Sequence, residues 1–130
     1  MARSAHPEAE LLVHPECGCA SNTMFNVAAG NVSSDGVSIL STEGMLRRAS
    51  ESPAQEFLVA TETGILHRLR RDHPEKRFLP VSEGAVCSFM KMITLEKLHR
   101  SLRDMQYEVR VPKETADRAR GAILRMLAIV

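Results

Sequence analysis

The sequence predicts an α/β fold, a parallel sheet with flanking helices in three layers, and three observations predict it. Four short apolar runs recur, Glu10–Val13, Val37–Leu40, Phe57–Ala60 and Phe78–Val81, each of a length that suits a fully buried strand. The first three lead into stretches of helical texture, and that alternation is the signature of strand–helix units. Each of those three runs also ends in a polar, acid-bearing turn, the kind of junction that starts a helix above a sheet.

Taken in order, the polar lead Arg3–Glu8 enters the first strand directly and reads as the end of a helix. A helix over Cys19–Ala29 follows, and Gly30–Gly36, with Asn31, Ser33, Ser34 and Asp35, is a loop by composition. The second strand leads to a helix around Met45–Ser50. The third leads to Gly64–Arg71, where Ile65, Leu66 and Leu69 fall at helical spacing. His73-Pro74-Glu75 closes that helix before the fourth strand. After Gly84 the texture changes. Thr94 caps a helix striped by Leu95, Leu98 and Leu102, and Tyr107–Val111 reads as a further strand. Pro112 and Lys113 open a last helix with Ala116, Ala119, Ile123, Met126 and Leu127 on one face. The expected division is an α/β domain over 1–84 and a carboxyl-terminal segment over 85–130. A few parallel strands carrying this many helices leave a sheet edge and much helix surface uncovered, so cover is expected from sequence outside this chain.

Composition excludes several function classes. With 130 residues, 44% hydrophobic and 25% charged, the chain is of ordinary globular composition and can bury a core. Seventeen basic against sixteen acidic residues leave a net charge of +1, so no global field draws nucleic acid or an anionic membrane, and binding is local. No apolar run approaches the ~20 residues that span a bilayer. Met1–Glu10 lacks the apolar stretch of a secretory signal, and a cytoplasmic location is expected. Three cysteines fit reduced thiols or metal ligands better than a disulfide framework.

Candidate chemistry gathers at the strand ends. His14-Pro15-Glu16-Cys17, Ser41-Thr42-Glu43-Gly44 and Thr61-Glu62-Thr63-Gly64 all follow strands, at the edge where open parallel sheets bind ligands and helix N-termini present free N–H groups to anions. From the pattern alone, Ser41, Thr42, Thr61 and Thr63 are read first as ordinary helix caps. A histidine beside a carboxylate, as at His14 and Glu16, transfers protons at neutral pH or holds a substrate carboxylate, although a solvated loop with a capping glutamate has the same spacing. Cys17-Gly18-Cys19 offers two thiols, short of a complete metal site. Cys87 stands alone in apolar surroundings, which by itself reads as core. Leu66–Arg71 presents a basic helix face, read as solvated surface, with nucleic-acid contact as the lesser reading. His6, His73 and His99 sit on polar stretches and read as surface residues.

Four separated strings carry a further signal: Leu12-Val13-His14-Pro15-Glu16-Cys17, Ser41-Thr42, Ala60-Thr61-Glu62-Thr63-Gly64-Ile65-Leu66-His67, and Cys87-Ser88-Phe89-Met90-Lys91-Met92-Ile93-Thr94-Leu95. In order and wording they resemble the quinolinate synthase (quinolinate synthetase A) family. The resemblance covers essentially the whole chain but only the carboxyl-terminal third to half of the family's length. It implies a pseudo-threefold architecture of three related α/β domains around one active site, with this chain's first part as the last of the three and the tail from about Cys87 packing on the absent first domain. It implies condensation of iminoaspartate with dihydroxyacetone phosphate to quinolinate, in NAD biosynthesis, with iminoaspartate supplied by L-aspartate oxidase or aspartate dehydrogenase. It further implies a 4Fe-4S cluster on three cysteines, with one iron open to substrate as a Lewis acid.

Carried over residue by residue, Cys87 matches the last cluster ligand. His14 and Glu16 match catalytic, substrate-lining positions, the first binding substrate and the second transferring a proton. Thr42, with Ser41 beside it, matches a hydroxyl that binds substrate anionic groups. Cys17 and Cys19 carry no ligand role. Two ligands and other substrate-binding residues fall outside this chain, so the chain alone is expected to hold no stable cluster and to make no quinolinate. The competing expectation is a non-catalytic α/β module that binds a small carboxylate or phosphate metabolite at the same turns.

Overall fold

The computed structural model describes residues 2–15 and 21–129, which divide between Lys91 and Met92 into two compact units. In the first unit a four-stranded, all-parallel sheet is built from β1 (Glu10–Val13), β2 (Val37–Ile39), β3 (Glu56–Ala60) and β4 (Arg77–Pro80), in the order β2-β1-β3-β4. The four apolar runs are these four strands, displaced by at most one residue. Their helices are α1 (Ala2–Ala5), α2 (Ser21–Ala28), α3 (Thr42–Glu51) and α4 (Ile65–Asp72).

Parallel pairing needs a crossover between strands, and the helices supply it. Because strand side chains alternate, each strand feeds two cores. Leu12 pairs with Val59 and Glu10 with Phe57 on one face, where Phe57, Phe78, Met45, Ala49, Leu66 and Leu69 are buried between the sheet and helices α3 and α4. Leu11, Val13, Leu58 and Ala60 face the other way, toward Ala2 and Met24 of α1 and α2. The result is the three-layer α/β arrangement predicted. Phe57 and Phe78, cross-strand neighbours, stack with centroids 5.2 Å apart. Gly36, at φ +65°, makes the left-handed turn into β2, and its carbonyl accepts the Leu11 N–H at 2.8 Å.

The amino end of the sheet is closed by a polar network. Glu10, at the start of β1, accepts two hydrogen bonds from Arg48 at 2.9 Å each and one from the Ser52 hydroxyl at 2.6 Å. Lys76 donates to the Ala49 and Ser52 carbonyls at 2.7 Å, satisfying the end of α3 that has no helical partner. Burial alone would raise the Glu10 pKa, but the Arg48 and Ser52 hydrogen bonds and the nearby cations hold it below the ordinary glutamate value of 4.5. Two histidines expected at the surface are drawn into pairs: His6 Nδ1 lies 3.0 Å from Glu56 Oε2, and His73 Nε2 lies 3.1 Å from Ser50 Oγ.

The second unit holds α5 (Leu95–Asp104) and α6 (Lys113–Leu127). Thr94 caps α5, as expected, by accepting the Lys97 N–H at 3.2 Å. The strand expected over Tyr107–Val111 is absent. That stretch is irregular, with Met105 and Tyr107 at φ +52° and +64°. Its alternating pattern suits a strand, but an extended segment gains a ladder only from a neighbour's N–H and C=O groups, and none of the described residues pairs with it. The stripes of both helices face solvent, with Leu95 83% and Leu102 72% exposed and Ile123, Met126 and Leu127 each more than half exposed.

Candidate functional site

A sheet in the order β2-β1-β3-β4 reverses its winding between β1 and β3, and the crevice beyond the carboxyl ends of those strands is where such sheets bind ligands. All four strands run the same way, so the described residues of the turns singled out in the sequence follow the strands at this edge. His14 follows β1, Ser41 and Thr42 follow β2, Thr61 and Glu62 follow β3, and the segment leading to Cys87 follows β4. The ladder continues past the strands to hold these turns. His14 N–H donates to the Ala60 carbonyl at 3.2 Å, Leu40 N–H to Val13 at 2.9 Å and Val81 N–H to Val59 at 3.0 Å.

Each predicted residue has its own setting. His14 is half-buried at the crevice, and its ring makes no hydrogen bond to the described residues. Ser41 is the N-cap of α3, where its oxygen accepts the Gly44 N–H at 3.2 Å. That is the capping role, and it leaves the Ser41 O–H proton free to donate outward. Thr42, exposed, is the first residue of α3 and adds a hydroxyl and a backbone N–H at the helix's positive end. Cys87 is a free, partly exposed thiol, unlike the buried core residue its surroundings suggested. Glu16, Cys17 and Cys19 lie outside the described residues. His14, Ser41 and Thr42 thus share the β1–β2 side of the edge, and Cys87 follows β4 on the other side.

The caps expected at Thr61 and Thr63 are not made. Thr61 is buried, and Gly64 is the N-cap of α4, with no side-chain cap from a threonine. Glu62 takes that place, its Oε2 accepting the Gly64 N–H at 2.8 Å while Lys91 Nζ stands 3.0 Å from its Oε1. The sequence places this acid in the turn after β3 without marking it as a cap. The available signal was a glutamate two residues before the glycine at the helix N-cap, the spacing at which a carboxylate folds back on that glycine's N–H.

No cluster of three or more histidine, cysteine or acidic side chains suited to a metal stands among the described residues. Cys87 is one donor of the type iron–sulfur clusters take, so these residues fit such a group as a single ligand and do not hold it alone. A cavity of about 720 Å³ opens elsewhere, over the α1–α2 face, between Arg3, Asn22, Asn26 and Asp35, and none of the predicted site residues lines it.

Against known proteins, the family described as "Quinolinate synthetase A protein" matches residues 1–128. The chain is 52% identical over 125 residues to the quinolinate synthase of Thermus thermophilus, covering 96% of this chain and 38% of that protein. It is 46% identical over 119 residues to that of Pyrobaculum aerophilum, covering 92% of this chain and 38% of the relative. With the Mycobacterium tuberculosis enzyme it shares 46% identity over 125 residues, 96% of this chain and 36% of the relative. The chain spans little more than a third of the length of the relatives it matches.

Proposed function

The chain belongs to the quinolinate synthetase A protein family, and on that premise we propose that it forms the carboxyl-terminal part of a quinolinate synthase, serving NAD biosynthesis by condensing iminoaspartate with dihydroxyacetone phosphate. One observation supports the reading above the rest: His14, Ser41, Thr42 and the segment leading to Cys87 all follow the carboxyl ends of strands in one parallel sheet, the edge that binds small anions in this architecture. Both substrates are small anions, and their carboxylate and phosphate groups match what the turns offer.

On this reading the Thr42 hydroxyl, the Ser41 O–H and the start of α3 bind a substrate anionic group. His14, at the switch point, orients a carboxylate or moves a proton, and Glu16 is the partner acid. Cys87 is one of three thiolate ligands of a 4Fe-4S cluster, the other two lying in sequence outside this chain. When bound, such a cluster supplies an iron that polarises an oxygen of the substrate. The exposed stripes of α5 and α6 pack on the absent first domain, consistent with apolar faces too extensive to be left in water. The setting is cytoplasmic, where thiols stay reduced.

The test is reconstitution under anaerobic conditions, with this chain alone and with the complementary amino-terminal portion of the Thermus thermophilus relative co-expressed. The expected result is no stable iron and no quinolinate from the chain alone. With the complement, cluster and activity both appear, His14→Ala keeps the iron but loses the product, and Cys87→Ala loses the iron. Stoichiometric iron and sulfide in the chain alone, or full iron in Cys87→Ala, would overturn the reading.

A further inference from the structure

One ionic group at the carboxyl end takes no part in the chemistry just proposed. Glu62 is 6% exposed, a charged residue at the end of a core strand. Burial would raise its pKa, yet Lys91 and the Gly64 N–H hold it below the ordinary 4.5, so it stays ionised. Lys91 Nζ, 3.0 Å from Oε1, sits off the angle of a well-formed hydrogen bond. The contact is an ion pair, since an ammonium on a flexible stem attracts over that distance without directional constraint. Gly64 is fitted to the carboxylate: a methyl group there would lie 2.6 Å from Oε2.

Lys91 is also tied to the segment that follows β4. Its own N–H donates to the Cys87 carbonyl at 3.1 Å. On the other side of Cys87, the Ala85 carbonyl accepts the Thr63 N–H at 2.9 Å, and Ala85 is buried. The turn after β3 therefore grips the Cys87 segment at two points, Thr63 on Ala85 before the thiol and Glu62 on Lys91 after it. An isolated surface lysine–glutamate contact contributes little. This pair differs because the carboxylate is desolvated and anchored through its second oxygen, which makes it a fixed post for a segment that otherwise carries only exposed side chains around Cys87.

We propose that Glu62 is a positioning residue which, through Lys91 and with the Thr63 backbone, pins the Cys87 turn to the carboxyl end of β3 and so fixes where the thiol is presented. Its functional meaning rests on the reading of Cys87 as a cluster ligand, while the fastening itself rests on the geometry alone.

The experiment reads the fastening without iron. On the full chain, alkylation of Cys87 is followed by peptide mass spectrometry, and amide exchange is followed over Ala85–Lys91, with Phe57–Ala60 of β3 as the reference. Lys91→Met and Glu62→Gln are expected to raise both rates over the Cys87 segment by about tenfold, as loss of a charge-assisted contact does to a local opening. The β3 amides stay unchanged and Lys91→Arg restores the wild-type rates. Unchanged rates in Lys91→Met, or an equal rise throughout β3, overturns the proposal; the double variant Glu62→Gln/Lys91→Met, which leaves no buried charge unpaired, guards against a purely global loss of stability. In the co-expressed enzyme Lys91→Met is expected to lower the iron retained. Full iron in Cys87→Ala would sink the ligand reading and leave the fastening result standing, so the two failures are distinguishable.

Discussion

The two ends of the sheet use polar side chains in opposite ways. At the amino end Glu10, Arg48, Ser52 and Lys76 satisfy one another and the backbone of α3 in a network closed within the unit. At the carboxyl end the His14 ring and the Thr42 hydroxyl make no hydrogen bonds among the described residues, and Ser41 keeps a free proton. Closed networks stabilise a fold, whereas groups positioned by the backbone but left open are what a ligand needs. Glu62 is the exception that fits the contrast: a buried acid at the open end, it accepts the Gly64 N–H through one oxygen and pairs through the other with Lys91, on the segment that follows Cys87.

The largest expected effect separates the ends most sharply. His14→Ala, assayed in the co-expressed enzyme, should lower turnover by about 10²–10⁴, the range for loss of a positioned proton-transfer or binding group, while urea unfolding shifts by less than about 0.5 kcal/mol. Glu10→Gln should do the reverse, weakening the Arg48 and Ser52 contacts at a cost of about 1–3 kcal/mol by urea unfolding with turnover unchanged at saturating substrate. If either variant shows the other's pattern, the division of labour between the ends is wrong.

Ser41→Ala tests a residue with a part in both roles. Loss of the α3 cap should cost about 1 kcal/mol, and a rise in KM for the phosphorylated substrate beyond that seen in Ser41→Gly would show the hydroxyl contacting the ligand as well.

The smallest effect concerns acid. Glu10 in the folded chain titrates below 4.5, so over that window the unfolded state binds more protons. The stability it contributes is complete above 4.5 and disappears as pH falls through the depressed value. The stability gap between wild type and Glu10→Gln should therefore narrow on acidification below 4.5, and a gap independent of pH there would remove the ionised Glu10 from the account.

Much of this was legible in the chain. Four apolar runs of strand length, separated by stretches of helical spacing, allow little besides a parallel sheet, and the four strands fall within a residue of the runs. Tyr107–Val111 failed as a strand for the complementary reason: alternation is a local property, but a strand exists only where another edge accepts its hydrogen bonds. Likewise Thr61 and Thr63 had the composition of caps, yet Glu62, with a longer reach and a charge to meet the helix dipole, took the Gly64 N–H.

What the sequence by itself determined is the α/β class, the four strands and the family, because burial periodicity and motif wording are written in local order. Only the tertiary structure decided that the winding reverses between β1 and β3, placing His14 and Glu62 at one crevice, and that Lys91 answers Glu62 from 29 residues further along the chain. Such pairings depend on which strand lies beside which, and strand order is set by the packing of helices on the two faces, a long-range property that no window of residues contains.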